Sequence, residues 1–77
     1  MYARVKSSNS TVFLIVNESE TIGDIAARAA AQAGLPTNPP PPLSLGETVL
    51  PSDLPFTSLA SKYDVDIHST KGTLLHV

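Results

Sequence analysis

The 77-residue sequence contains no cysteine and no tryptophan, and only 16% of its residues are charged. Without cysteine the chain has no disulfide, no thiolate ligand for zinc and no cysteine nucleophile, which is typical of an intracellular protein. Its formal net charge of −2 gives no reason to expect nucleic acid or an anionic membrane as a partner. No apolar run approaches the roughly 18 residues of a membrane span and no signal-peptide pattern is present, so we expect a cytoplasmic or nuclear protein without membrane insertion.

Groups for catalysis or metal binding are also scarce. The four glycines are isolated, so there is no phosphate-binding loop, and no Ser-His-Asp arrangement can be identified. On a strand, Asp64, Asp66 and His68 would share one face and could bind a divalent metal, although such residues beside a loop are more often solvated. We therefore predict no catalytic residues, no metal site and no cofactor, and the chain is not expected to be an enzyme.

Two strands joined by a tight turn are predicted at the start of the chain. Apolar residues alternate with other residues over 1–6 and again over 12–17, which is the period of a strand. Between them, Asn9 tolerates the left-handed conformation that a two-residue hairpin turn demands. If Ser8 and Asn9 form the loop, Ala3 lies opposite Leu14 and Val5 lies opposite Val12 on one apolar face.

The same register gives the hairpin a second apolar face. On it, Tyr2 lies opposite Ile15, and Arg4 lies opposite Phe13, where its guanidinium can form a cation–π pair with the ring. Three large apolar side chains on a solvent-facing surface are unusual for alternating strands. Either the proline-rich connector or the loop at 51–56 covers them, or they form a docking face for a partner or for a neighbouring domain of a longer parent chain.

One helix is predicted from about residue 22 to residue 33. Thr21 followed by Asp24 is typical of a capping box, and Gly34, Leu35 and Pro36 provide a helix stop. The core-facing stripe consists of Ile22, Ile25, Ala26, Ala29 and Ala33. Because most of these side chains are small, the helix should lie close to the sheet.

The second half of the chain gives weaker signals. Four consecutive prolines within residues 36–42 predict a stiff extended connector; a PxxP ligand for an SH3 or WW domain is the alternative, disfavoured because no arginine flanks it. Short strands are predicted at 43–45 and 48–50, a short helical turn at 59–63 and a final strand at 73–77. Val65 and Ile67 alternate in a way that extends or precedes this last strand.

The order of these elements resembles ubiquitin and its relatives over nearly the whole chain, with a deletion in the first hairpin and insertions near 51–55 and 67–71. The resemblance is carried by Met1, Val5, Lys6, Thr21, Ile22, Gly34, Leu35, Pro36, Leu43, Gly46, Leu50, Leu59, Tyr63, Val65, Thr73, Leu74 and Val77. It implies an α+β fold of the β-grasp type, a ubiquitin-like roll in which a mixed sheet of four to five strands packs on one helix. It also implies that residues 1–77 form a single domain, with the first strand beside the last.

The departures from conjugated ubiquitin-like modifiers bear on function. The sequence has no terminal Gly-Gly, so we expect a non-conjugated type. The positions of the aliphatic patch of ubiquitin are matched by Ser8, Ser44 and Val77, of which two are polar, and Lys6 alone clearly matches a chain-bearing lysine. The segments MYARVK and TVFLIV also resemble, more weakly, elongin B, a ubiquitin-like subunit of ubiquitin-ligase complexes.

We therefore predict a non-catalytic ubiquitin-like interaction module or adaptor in the ubiquitin–proteasome system, with protein partners such as ubiquitin-ligase or proteasome components. The candidate partner-binding residues are Tyr2, Arg4, Phe13, Ile15 and Val77. The alternative is a Ras-association or FERM-type β-grasp domain, which would bind a small GTPase or membrane-linked partner through the edge of its second strand. A processed modifier is a third possibility, and it would require a Gly-Gly beyond Val77.

Overall fold

A computed structural model describes all 77 residues of the chain and contains a mixed five-stranded sheet with two helices. The elements are β1 (Tyr2–Lys6), β2 (Thr11–Ile15), α1 (Ile22–Ala33), β3 (Ser44–Leu45), β4 (Thr48–Val49), α2 (Ser58–Tyr63) and β5 (Thr73–His76). The order across the sheet is β2-β1-β5-β3-β4, in which β1 and β5 are parallel and the other pairs are antiparallel. The predicted α+β roll of the β-grasp type is confirmed.

The β1–β2 hairpin has the predicted register along its whole length, beginning with the Tyr2–Ile15 pair. Its two-residue loop is closed by Ser7, whose N–H and Oγ donate to the carbonyl of Ser10 at 2.8 and 3.1 Å. The predicted left-handed conformation of Asn9 is wrong, because Asn9 has a negative φ. The serine hydroxyl therefore supports a turn that does not need that conformation.

Helix α1 begins and ends as the sequence predicts. The Thr21 Oγ1 accepts from the Asp24 N–H at 3.2 Å, and the Asp24 Oδ2 accepts from the Thr21 N–H at 3.0 Å, which completes the capping box. Gly34 follows the helix with a φ of +74°. The buried stripe includes Ala30, whereas the predicted Ala33 is only half-buried because it is the last helical residue, next to the exposed Gly34.

The core lies between α1 and the inner face of the sheet, and its 15 buried hydrophobic residues form one cluster. Phe56 is the largest fully buried side chain, although residues 51–56 are predicted from sequence only as an irregular loop. This loop packs on the start of α1, where the carbonyls of Ser52 and Leu54 accept from the first two helical N–H groups at 2.7 and 2.8 Å. The loop thus satisfies free donors of the helix terminus and also adds Leu54 and Phe56 to the core.

The segments after the helix agree with the predictions in part. Strands β3 and β4 and helix α2 lie where short elements are predicted, each differing by one residue at an end. The prediction that Val65 and Ile67 belong to a strand is wrong. Asp64 ends α2 with a left-handed φ of +55°, and the chain then turns so that Ile67 enters the core.

The proline-rich residues 36–42 form neither helix nor strand and lie beside α1. A shallow cavity of about 230 Å³ separates Pro40, Pro41 and Pro42 from Ile22 and Ala26 of the helix. This connector is therefore on the helix side of the sheet. Neither helix is long and apolar enough to span a bilayer.

Candidate protein-binding surface

The face of the sheet turned away from α1, here called the outer face, is built by alternate residues of β1, β2 and β5. Successive side chains of a strand point to opposite faces, and the buried Ala3, Leu14 and Leu75 fix which residues point inward. In these three strands the outer face consists of Tyr2, Arg4, Lys6, Thr11, Phe13, Ile15, Leu74 and His76. Ser44 of β3, opposite His76, and Val49 of β4, opposite Ser44, continue the same face to the other edge of the sheet.

Basic and apolar side chains alternate across this surface. Arg4 pairs with Phe13 on β2 and with Leu74 on β5, so a basic residue lies between two apolar residues in the sheet register. Phe13 is 51% exposed, Ile15 is 65% exposed and Leu74 is 38% exposed. Neither residues 36–42 nor the loop at 51–56 covers the face, because these side chains remain open to solvent.

Phe13 makes its aromatic contact with Tyr2. Their ring centroids are 5.3 Å apart with an angle of 33° between the planes, in place of the predicted cation–π pair of Phe13 with Arg4. The ring of Phe13 also reaches across β1 to Gly72. A side chain at Gly72 would place its first carbon 3.5 Å from Phe13 Cε2 and 3.4 Å from Arg4 Cγ, which are ordinary contact distances, so both side chains lie directly against this glycine.

The outer face carries positive charge without any negative charge. The five strands contain no acidic residue, and the seven acidic residues are Glu18, Glu20, Asp24, Glu47, Asp53, Asp64 and Asp66. The one ion pair of the chain joins Arg28 to Glu20, so Arg4 and Lys6 have no carboxylate within salt-bridge distance. The Nε of Arg4 is buried and has no hydrogen-bond partner.

Strand β2 forms one edge of the sheet and has free backbone groups. Hydrogen-bonded and non-hydrogen-bonded residue pairs alternate along an antiparallel hairpin. Because the N–H of Val16 donates to the carbonyl of Met1, the backbone groups of Thr11, Phe13 and Ile15 point away from β1. The exposed edge and the exposed side chains of Phe13 and Ile15 are thus continuous.

Arg28 occupies one end of this edge. Its Nη1 donates to the carbonyl of Ile15 at 2.9 Å and to the two carboxylate oxygens of Glu20 at 2.7 and 2.8 Å. The carbonyl of Ile15 is therefore already bonded. The open part of the edge is confined to Thr11, Phe13 and the N–H of Ile15.

Val77 lies apart from the other four predicted binding residues. Its N–H donates to the carbonyl of Lys6 at 2.9 Å, and it follows the inward-pointing Leu75 by two residues, so its side chain turns to the helix side. There it lines a cavity of about 250 Å³ together with Leu35, Pro36, Pro39 and Pro41. The structure brings Tyr2, Arg4, Phe13 and Ile15 together, without Val77.

Leu74, and not the predicted Val77, is the exposed apolar residue that the last strand contributes to the outer face. Leu74 is predicted from the sequence to lie in the final strand, but not to bind a partner. Its position follows from the parallel register of β1 and β5, in which it lies beside Arg4. The alternation around the buried Leu75 is the signal that could have identified it.

The acidic pair and histidine after α2 do not share the face of a strand, because Asp64, Asp66 and His68 lie in an irregular segment. The Oδ1 of Asp66 accepts from the backbone N–H of His68 at 3.1 Å, so it is used in a local turn. No group of three or more histidine or acidic side chains is placed to share a metal ion.

No model of a protein family matches the sequence, and no curated protein matches it either.

Proposed function

We propose that this chain is a ubiquitin-like interaction module that acts by binding a protein partner with its outer face. The observation that carries the proposal is the exposure of Phe13 and Ile15, at 51% and 65%, on a strand whose inward-pointing Leu14 is 2% exposed. Exposed apolar patches on a small domain mark interaction sites. The module works by recognition, with no catalytic step.

The fold supports the assignment to the ubiquitin-like class. A β-hairpin, one long helix and a last strand that returns parallel to the first are the arrangement that the family resemblance implies. On this basis we propose an adaptor role in the ubiquitin–proteasome system of the cytoplasm or nucleus. Ligase and proteasome subunits are the partners that this role requires.

The open edge of β2 favours one second candidate, a domain of the Ras-association or FERM type. Such a domain would add a strand of a small GTPase to the free backbone groups of Thr11 and Phe13. This mode uses basic residues near the edge, and here Arg28 is held by Glu20. The outer-face proposal is therefore preferred.

Affinity capture with variants of the outer face tests the proposal. We expect the double variant Phe13→Ala with Ile15→Ala to lose the captured partner while its circular dichroism spectrum and melting temperature stay close to those of the wild type. The matched control is Val77→Ala, which truncates a 48% exposed valine on the helix side of the sheet, away from the outer face.

Undiminished capture by the folded double variant would refute the outer face as the docking surface. The variant Thr11→Pro separates the two candidates, because it removes an edge N–H but no outer-face apolar group. Loss of a small GTPase with Thr11→Pro would favour the second candidate.

A further inference from the structure

The charges of the outer face indicate the chemistry of its partner. We infer that the partner is a protein segment that places an aspartate or glutamate carboxylate on Arg4, with apolar side chains that contact Phe13 and Leu74 on either side. This inference rests on the proposed function, because it assigns a ligand class to the same surface.

Arg4 is the group on this face that lacks a partner. Its Nε is buried without a hydrogen bond, and no carboxylate of the chain lies within salt-bridge distance. A guanidinium keeps its charge in proteins. Because the Nε is closed to solvent, the carboxylate of a partner would bind the terminal nitrogens Nη1 and Nη2, which are not buried. Carboxylates bind arginine through two parallel hydrogen bonds, which gives both strength and a fixed orientation.

The residues next to Arg4 define which side chains of the partner would flank its carboxylate. Phe13 lies on one side in β2 and Leu74 on the other side in β5, and both are exposed. A segment with apolar residues flanking an acidic residue matches this order. Lys6, the next outer-face residue of β1, offers a second cation to the same segment.

The outer face can attract only an acidic partner segment by charge, because the strands carry no acidic residue. A basic segment would therefore meet Arg4 and Lys6 without any compensating carboxylate. Nucleic acid and anionic membranes are favoured by many basic residues, whereas this chain has a net charge of −2 and two cations on the face. An acidic and apolar protein segment fits the observations best.

Random peptides displayed on phage provide a defined probe. We expect selection on the immobilised wild-type chain to enrich peptides with Asp or Glu next to apolar residues. Their affinity, measured with synthetic copies by fluorescence polarisation, should fall about tenfold or more for Arg4→Gln, since a hydrogen bond to a charged group is lost. Arg4→Lys should retain only part of the affinity, because lysine lacks the planar fork.

The matched control is Lys62→Gln, which removes an exposed cation from α2, away from the outer face, and should leave the affinity unchanged. The melting temperature of each variant shows that the fold is kept. If Arg4→Gln does not fold, the conservative Arg4→Lys variant decides, and full retention of affinity with Arg4→Lys counts against the inference.

The other outcomes each overturn the inference. These are enrichment of peptides without acidic residues, equal affinities for Arg4→Gln and Lys62→Gln, and a selection that enriches no peptide. Binding of phosphatidylserine vesicles that depends on Arg4 would replace the protein segment by a membrane, and a dimer lost with Arg4→Gln would replace it by a second copy of the chain.

The double variant Phe13→Ala with Ile15→Ala distinguishes the two levels of proposal. If it loses the selected peptides while Arg4→Gln keeps them, the docking face stands and the acidic partner is wrong. If both the double variant and Arg4→Gln keep the selected peptides, both proposals fail.

Discussion

Leu14 and Phe13 are neighbours in strand β2, yet they belong to surfaces with different roles. Leu14 is 2% exposed and packs in the core under α1, whereas Phe13 is 51% exposed and turns away from the helix. The buried Leu14 side chain therefore stabilises the folded state, whereas about half of the Phe13 side chain contributes no burial in the isolated chain. The inner face of the sheet contributes to the free energy of folding, whereas the outer face leaves apolar area exposed, and this is the area that the proposed binding of a partner would use.

The largest expected effect comes from truncating this pair one residue at a time. Leu14→Ala should lower the free energy of unfolding by about 2–5 kcal/mol, because it leaves a cavity in a close-packed core. Phe13→Ala should lower it by less than about 1 kcal/mol, since half of the ring is already in water. Urea denaturation followed by circular dichroism measures both values.

Equal losses in the free energy of unfolding for Leu14→Ala and Phe13→Ala would contradict the claim that only the inner face is important for stability. Ile15→Ala is a second outer-face variant and should behave like Phe13→Ala. Phe56→Ala is a second core variant and should cost about 3–5 kcal/mol, because its ring is completely buried.

A smaller effect on stability is expected at Gly72, which lies against the outer face. Gly72→Ala should lower the free energy of unfolding by about 1–2 kcal/mol, because φ is +82° there and alanine resists the left-handed region. The added methyl group would make only ordinary contacts with Phe13 and Arg4, but a backbone shift that relieves the strain at φ +82° would move the chain beside both side chains. We therefore expect partner binding to weaken as well.

Gly34→Ala is the control for the loss of stability that a positive φ alone causes in alanine. Its φ of +74° is similar, but nothing lies within 4 Å of the added carbon. Gly34→Ala should therefore reduce stability without changing partner binding. If it weakens partner binding as much as Gly72→Ala, the packing of Gly72 against the outer face has no role in recognition.

A small change in stability, comparable to that of Phe13→Ala, is expected for Arg28→Ala. The ion pair with Glu20 is partly exposed, with 41% of the arginine side chain open to solvent, so its loss should cost about 1 kcal/mol or less. The variant also frees the carbonyl of Ile15 and lengthens the open edge of β2. Light scattering should then show more self-association than for the wild type, and an unchanged monomer would show that Arg28 does not protect this edge.

Local signals explain which parts of the fold follow from the sequence. The alternation in β1 and β2 gives the hairpin register, and the Thr21–Asp24 capping box with Gly34 gives the bounds of α1. Each of these features is decided by residues close together in the chain. Their prediction needs no knowledge of the tertiary structure.

Contacts between distant residues explain what sequence reasoning missed. Leu54 and Phe56 enter the core from a segment without strand or helix periodicity, so no pattern marks them as buried. That Leu74 lies on the outer face and Val77 does not depends on the parallel register of β1 and β5, which pairs residues from the two ends of the chain. The unpaired Nε of Arg4 likewise depends on the packing around it.

Chemical-shift mapping tests the central claim most directly, that the outer face is the docking surface. The nitrogen-15-labelled chain would be titrated with the partner recovered by affinity capture. We predict that the perturbed amides cluster at Tyr2, Arg4, Phe13, Ile15 and Leu74, with little change along α1. Perturbations confined to α1 and the proline-rich connector at 36–42 would contradict the claim.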